Sequence, residues 1–188
     1  MDDAQVWELL ERGGTLGAAH YEVDGVHRLR RFERFDPLAD PVAAQQLGTA
    51  LAAQLGDGAY NLVTIWDTVE NAVLGFLVGL ALQCPVVRVF DHEGLIRESG
   101  TIPPGARGVF VAPAIVDAQE PRLVRALMEA RGASLAAVAV LVDAGEAAEP
   151  PIALVRVESY PPERCPACQR GEQPTNARVP LAPGGLHG

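Results

Sequence analysis

One strand–turn–helix segment of this chain has the composition of an anion-binding site. The apolar run Gly108–Ala112 is typical of a buried strand, and Pro121 suits the first turn of a helix. A second apolar run, Val138–Asp143, follows that helix. In α/β proteins a turn that leads from a strand into a helix N-terminus commonly holds an anionic ligand. The residues before Pro121 are therefore the first place to look for a phosphate site.

A second chemical pattern is the knuckle-like turn Cys165-Pro166-Ala167-Cys168 near the C-terminus. Two thiolates at this spacing supply half of a tetrahedral zinc site. The local sequence shows no second half, since Cys84 is expected to be a core thiol beside Pro85 and His187 lies in the loose tail. We therefore predict no stoichiometric metal, and an ordered turn or a reversible disulfide at Cys165 and Cys168.

Composition excludes several classes of function. Fifteen basic residues, all of them arginine, and 24 acidic residues give a net charge of −9, which argues against nucleic-acid and membrane partners. No lysine is available for catalysis. The N-terminus carries Asp2 and Asp3 without an apolar run, and the longest apolar stretch, Ala72–Leu82, falls short of the roughly 20 residues of a membrane span. The protein is expected to be cytoplasmic.

The elements that position these groups alternate between helices and strands. We predict helices at 4–12, 42–55 (Asp40 as N-cap) and 69–82, a β-hairpin at 20–36 with its turn at Asp24-Gly25, and a polar excursion at 91–105. The predicted core strands are Leu62–Trp66, Pro85–Phe90, Val109–Ala112 and Val138–Val142, with a last strand at 152–157. Near-continuous apolar strands predict an α/β fold with a mostly parallel sheet and helices on both faces.

The order of these segments resembles that of the type I phosphoribosyltransferases, and the N-terminal part resembles orotate phosphoribosyltransferases. A helix ending in Gly13-Gly14 precedes His20, Tyr21, Gly25 and His27, which follow one another in the order of a Gly-His-Phe-x-Leu-Ser-Ser-Gly-x-His pattern. The resemblance covers roughly residues 5–158. It implies a phosphoribosyltransferase-like domain over 1–160, with a base-binding hood over 1–36, and leaves 161–188 as a partly extended tail. His20 and His27 are then possible hood contacts, although histidines with a structural role are commoner than ligand-binding ones.

The segment that binds phosphoribosyl pyrophosphate (PRPP) in this family departs from its pattern. An acidic pair that holds the ribose and helps to place magnesium becomes Pro113-Ala114, and a Thr/Gly-rich phosphate loop becomes Asp117-Ala118-Gln119-Glu120-Pro121. Glu120 repels a phosphate, and Pro121 removes a backbone N–H from the helix N-terminus. Asp117 is the one acid able to act as a displaced ligand, but the role favoured for it is to cap the helix or the loop.

Two further functional loops also differ. The pyrophosphate loop, usually glycine-rich, becomes Asp67-Thr68-Val69-Glu70-Asn71. Each acid about 4 Å from a phosphate charge costs about 1 kcal/mol in water and about 4 kcal/mol at an effective dielectric near 20. The flexible loop, which supplies a lysine in the family, offers Arg88, His92 and Arg97. Arg97 can contact phosphate, although an exposed loop arginine is usually solvated.

These observations favour a phosphoribosyltransferase-fold protein without PRPP transfer or a cofactor, retained as a ligand-binding, regulatory or partner subunit. Its ligand is an unidentified small molecule, and the family implies a homodimer, or a heteromer with a paralogue, formed by the N-terminal half and helix Val69–Leu82. The alternative is an active orotate or nucleobase phosphoribosyltransferase with magnesium, in which Arg88 or Arg97 replaces the lysine. An unrelated enzyme in the same crevice is a third option, which no catalytic constellation in the sequence supports.

Overall fold

Helices and strands alternate along the chain, as the sequence pattern predicts. The computed structural model of the protein describes residues 3–12, 16–23, 25–32, 36–115, 119–143 and 149–176. In chain order the elements are α1 (Asp3–Arg12), β1 (Leu16–Val23), β2 (Val26–Phe32), a 3-10 helix (Asp36–Ala39), α2 (Pro41–Leu55), β3 (Leu62–Trp66), α3 (Val69–Leu82), β4 (Val86–His92), β5 (Leu95–Glu98), β6 (Arg107–Ala114), α4 (Gln119–Ala130), β7 (Ser134–Asp143), β8 (Ile152–Arg156), β9 (Ser159–Tyr160), a second 3-10 helix (Pro162–Arg164), α5 (Pro166–Gln169) and β10 (Thr175–Asn176). No helix among the described residues is long and apolar enough to cross a bilayer.

Backbone contacts divide the chain into two units. Unit 1 consists of Met1–Leu16 and Phe32–Arg156, and unit 2 consists of Gly17–Arg31 and Val157–Gly188. The sequence predicts a different division, with a hood inside one domain over 1–160 and a separate tail after it. That division follows chain order, whereas each observed unit combines two separate stretches of the chain. Most of the hairpin and the residues after 156 belong together.

The sheet of unit 1 is six-stranded, in the order β5-β4-β3-β6-β7-β8. All of its neighbouring pairs are parallel except β4 and β5, which pair antiparallel. The mostly parallel sheet and its core strands β3, β4, β6 and β7 are confirmed. The polar excursion predicted over 91–105 is wrong in part, because β4 turns back through Glu93 and Gly94, both with positive φ, into the edge strand β5.

Helices cover both faces of this sheet. The crossover β3–α3–β4 and the crossover β6–α4–β7 run in opposite directions across the sheet, and right-handed crossovers then place α3 and α4 on opposite faces. On the α4 side, Leu62, Phe110 and Met128 belong to one buried apolar cluster. On the α3 side, a Cβ on Gly75 would lie 2.5 Å from Ile65 Cγ2. The four-residue spacing of Gly75 and Gly79 in α3 is typical of close packing, and the structure shows such packing at Gly75.

The start of α2 also follows the sequence prediction. Asp40 is the N-cap, and its Oδ1 accepts hydrogen bonds from the N–H groups of Val42 at 2.8 Å and Ala43 at 3.4 Å. Pro41 occupies the first turn, where its missing N–H has no intrahelical partner to lose. Local sequence signals thus fix where this helix begins.

Unit 2 has a sheet of its own, in the order β10-β1-β2-β9. The predicted hairpin is present, with β1 starting at Leu16 and Gly25 in its turn at a φ of 78°. The segment after Pro161, predicted to be partly extended, contains a 3-10 helix, α5 and β10 up to Asn176. Residues 177–188 of the predicted tail, and Asp24 of the predicted turn, lie outside the described residues.

Candidate functional site

The parallel strands of unit 1 bring several loops to one edge of the sheet. β3 and β6 are neighbours, and the chain leaves β3 toward β4 but leaves β6 toward β7. This reversal is the topological switch point at which α/β sheets bind ligands, outside the carboxyl ends of the strands. We call the residues there, Asp67–Asn71 after β3 and Pro113–Pro121 from the end of β6 into α4, the sheet-edge site. Asp117 and Ala118 of this site lie outside the described residues.

The loop after β3 uses its polar atoms to begin α3. Thr68 is the N-cap, and its Oγ1 accepts a hydrogen bond from the Asn71 N–H at 3.2 Å. The buried Asn71 donates through Nδ2 to the Trp66 carbonyl at 2.9 Å. Thr68 and Asn71 therefore make these hydrogen bonds within their own loop. The usual glycine-rich loop instead leaves its backbone open to approach a diphosphate.

Two of the predicted site residues pair with each other. Arg88 Nη1 lies 3.1 Å from Asp67 Oδ1, and the Arg88 backbone N–H donates to Ser99 Oγ at 3.1 Å. Both side chains of the ion pair are partly exposed, so it contributes about 0–1 kcal/mol. Arg97 lies exposed on β5, opposite Phe90 of β4. The structure thus places Arg88 against Asp67 in the loop after β3, the predicted pyrophosphate loop.

The end of β6 is apolar and buried. Pro113 and Ala114 are both buried, and Ala114 is the strand partner of Val142 in β7. Gln119 begins α4 and Glu120 lies in its first turn, as Glu70 does in α3. Carboxylates in the first turn of a helix are stabilised by the positive end of the helix dipole. They also repel an incoming anion.

Asp143 is an acid of the same edge that the sequence analysis missed. It ends β7 and is buried, and its Oδ2 lies 2.7 Å from Arg156 Nε on the neighbouring strand β8. The sequence signal for Asp143 is an acidic residue directly after an apolar strand. Asp143 and Arg156 form a structural ion pair at the sheet edge.

Unit 2 contains a second constellation, which we call the His/Cys cluster: His20 on β1, His27 on β2, Cys165 before α5 and Cys168 within α5. One nitrogen or sulfur from each side chain lies within 4.8 Å of all the others. The expectation that the Cys165–Cys168 turn lacks a second pair of ligands is wrong, because the hairpin supplies both histidines. The pairing was not visible in sequence since His20 lies 145 positions from Cys165.

Backbone groups of the Cys165–Cys168 turn form hydrogen bonds with the sulfur of Cys165. Burial raises the pKa of the Cys165 thiol, but hydrogen bonds from the backbone of Cys168 and Ala167 and from the His27 side chain outweigh it, so the pKa is lowered. Burial and the neighbouring Cys165 raise the pKa of Cys168. Cys84 takes no part, since its Sγ donates to the Tyr60 carbonyl in unit 1 at 3.1 Å.

The fold is that of the type I phosphoribosyltransferases. It is similar to the orotate phosphoribosyltransferase of Aeropyrum pernix, with a TM-score of 0.63 at 18% identity, covering 79% of this chain and 92% of that one. It is also similar to the adenine phosphoribosyltransferase of Rhodothermus marinus, with a TM-score of 0.62 at 16% identity, covering 81% and 99%. No family model matches the chain.

Sequence similarity identifies the family within this class. The chain is 32% identical over 176 residues to the orotate phosphoribosyltransferase of Thermus thermophilus, covering 88% of this chain and 96% of the relative. It is 27% identical over 176 residues to the orotate phosphoribosyltransferase of Carboxydothermus hydrogenoformans, covering 88% and 92%. The chain belongs to the orotate phosphoribosyltransferase family.

Proposed function

We propose that this protein is a member of the orotate phosphoribosyltransferase family that does not transfer a phosphoribosyl group from PRPP. It acts as a ligand-binding, regulatory or partner subunit in nucleotide metabolism. The observation that supports this most strongly is the end of β6, where Pro113 and Ala114 are buried and offer no side-chain oxygen. The family pattern has its acidic pair at these positions.

The electrostatics of the sheet-edge site support the same proposal. PRPP brings a 5-phosphate and a diphosphate, while the first turns of α3 and α4 carry Glu70 and Glu120. Arg88, one of the two arginines that could substitute for the missing lysine, is paired with Asp67. An acidic site of this kind suits a cationic or neutral ligand better than PRPP.

Magnesium, which the family resemblance implies, does not fit the described residues of this edge. It prefers oxygen ligands from carboxylates. Pro113 and Ala114 supply none, and the carboxylates of Asp67 and Asp143 are engaged by Arg88 and Arg156. The remaining described acids, Glu70 and Glu120, lie in the first turns of two different helices and not at the acidic-pair positions. We therefore derive no catalytic step through this ion.

A second candidate function is PRPP transfer to orotate or another nucleobase. It is favoured by family membership, since the chain covers 96% of a relative named orotate phosphoribosyltransferase. In that case Arg97, exposed on β5, replaces the lysine of the flexible loop. On similarity alone this candidate is the better supported, and the residues at the end of β6 are the reason to prefer the first.

PRPP binding tests the choice between the two. We expect no thermal shift of the natural chain with PRPP and magnesium. A variant that restores the family pattern (P113D, A114D, E120G and P121S) is expected to gain binding, and a ligand at 100 times its Kd stabilises the folded state by about 2.7 kcal/mol. Circular dichroism checks that the variant folds, and Glu129→Gln, at the other end of α4, controls for loss of a charge. Clear stabilisation of the natural chain by PRPP would favour the transferase.

We also propose that the protein forms a homodimer through α3. Val69, Phe76 and Leu80 lie on one side of this helix and are 77%, 64% and 65% exposed. Exposed apolar residues at this spacing are typical of an interface. Light scattering at tens of micromolar should give a dimer, Phe76→Glu should weaken it, and Leu95→Glu, on exposed β5, should not. A monomeric natural chain would contradict the proposal, and a complex formed only with a paralogue would replace it with a heteromer.

A further inference from the structure

We propose that the His/Cys cluster binds one zinc ion in a closed tetrahedral site that holds unit 2 together. This inference is independent of the sheet-edge site, because all four ligands belong to unit 2. It replaces the sequence-based expectation of no metal, whose premise was that the Cys165–Cys168 turn has no partner ligands.

Four of the six distances between the ligand atoms are close to those of a tetrahedral zinc site. Zinc–nitrogen bonds of about 2.05 Å and zinc–sulfur bonds of about 2.3 Å place two nitrogens about 3.3 Å apart and a nitrogen and a sulfur about 3.6 Å apart. His20 Nε2 lies 3.3 Å from His27 Nδ1. The sulfurs of Cys165 and Cys168 lie 3.4 and 3.6 Å from His20 Nε2, and Cys168 Sγ lies 3.2 Å from His27 Nδ1. Four donor atoms are therefore arranged around one point.

The chemistry of the donors selects the metal and its role. Two imidazoles and two thiolates form the Cys₂His₂ set that binds zinc, and thiolates disfavour magnesium or calcium. A span of 4.8 Å fits one ion. Four protein ligands leave no open position for a water or a substrate, so the site is structural.

Neighbouring groups support the histidine and cysteine ligands. His27 directs Nδ1 at the cluster, and its Nε2 lies 3.8 Å from Glu22 Oε2, which places a carboxylate beside the outer nitrogen of a metal-binding histidine. His27 and Cys165 are buried, and His20 and Cys168 are half-buried. Thr175 Oγ1 donates to the His20 carbonyl at 3.0 Å, which ties β10 to the same strand.

The described part of unit 2 buries few apolar residues. They are Tyr21, Val157, Cys165 and Ala167. Units this small usually need a metal or disulfides, because they cannot bury enough apolar surface. Zinc would join the hairpin to a knuckle 141 positions later, from His27 to Cys168, and so close a long loop.

Elemental analysis of the full chain purified without chelators tests the proposal. We expect one zinc per chain, and near-complete loss of that zinc in Cys165→Ser and His27→Asn. Cys84→Ser and His92→Asn are matched controls, since Cys84 lies in unit 1 and His92 is exposed on β4, and both should retain one zinc.

Cobalt substitution gives a readout that does not depend on how well the variants fold. Cobalt added to the metal-free natural chain should produce the visible bands of tetrahedral coordination and a thiolate charge-transfer band, and zinc should displace both. The proposal fails if the natural chain takes up neither metal after thiol reduction, if Cys165→Ser keeps its zinc, or if another metal fills the site. A Cys165–Cys168 disulfide that excludes zinc from freshly purified protein would also overturn it.

Discussion

The sheet-edge site of unit 1 and the His/Cys cluster of unit 2 differ in what their polar atoms contact. At the sheet edge, Thr68 and Asn71 bond to the backbone of their own loop, and Asp67 bonds to Arg88. In the cluster, four donor atoms face one another within 4.8 Å. The polar side chains of the sheet edge thus make contacts within unit 1, while a part of the chain remote in sequence has four donor atoms grouped together. Family membership establishes the fold, and the arrangement of the donor atoms is the basis of our two proposals.

The largest effect should follow removal of the metal from unit 2. Loss of a structural metal belongs to the mutations that cost more than about 4 kcal/mol. We expect Cys165→Ser, or zinc removal by a chelator, to abolish amide-exchange protection in β1 and β2 while β3 and β6 keep theirs. Cys84→Ser should leave both sheets protected. Unchanged protection of the hairpin in the metal-free chain would show that the cluster does not stabilise unit 2.

A smaller effect is expected where α3 packs on the sheet of unit 1. Gly75→Ala places a Cβ 2.5 Å from Cγ2 of the buried, β-branched Ile65, so the helix must shift. Overpacking costs about 1–3 kcal/mol, and the gain in helix propensity returns up to about 1 kcal/mol. Chemical denaturation should therefore show a net loss of about 1–2 kcal/mol. Gly100→Ala, whose Cβ meets Val87 at 3.5 Å, should change stability by less than about 0.5 kcal/mol, and equal losses for the two variants would argue against close packing at Gly75.

The smallest effect concerns the role of the loop after β3. If Thr68 is a helix cap and not a ligand group, Thr68→Ala should lower the free energy of unfolding by about 1 kcal/mol. Thr68→Ser keeps the hydroxyl and should retain most of that stability. Any ligand found by thermal shift should bind both variants with the same Kd. A tenfold weaker Kd for Thr68→Ala with unchanged stability would make Thr68 a binding residue.

The strands of unit 1 were predictable because apolar runs such as Leu62–Trp66 and Val138–Val142 are buried on both faces of a parallel sheet. The edge strand β5 was not, because its residues alternate between exposed and half-buried and carry charge. The cap of α2 by Asp40 was predictable, since it depends on contacts two and three residues away. Sequence signals therefore identified the strands that are apolar along their length and the helix whose cap is its neighbour in sequence.

The His/Cys cluster could not be predicted from sequence spacing. Its two cysteines form a local motif, but His20 and His27 reach them only through the pairing of β1 with β2 and the folding of the segment after Val157. The resemblance had assigned these histidines to a base-binding hood, which remains a prediction. The replacement of the family's acidic pair by Pro113 and Ala114 likewise remains a prediction from the resemblance, and the structure adds that both residues are buried.

Pyrophosphate release from PRPP tests the central claim most directly. The assay combines the purified chain with PRPP, magnesium and either orotate, uracil or a purine base, with an active orotate phosphoribosyltransferase as the positive control. Loss of one electrostatic donor costs about 10²–10³ in rate, and our proposal is that the acidic pair, the phosphate loop and the lysine have all been lost. We predict no release above the protein-free background. Turnover of about one per second with any of these bases would contradict the account and make the protein a phosphoribosyltransferase with an atypical site.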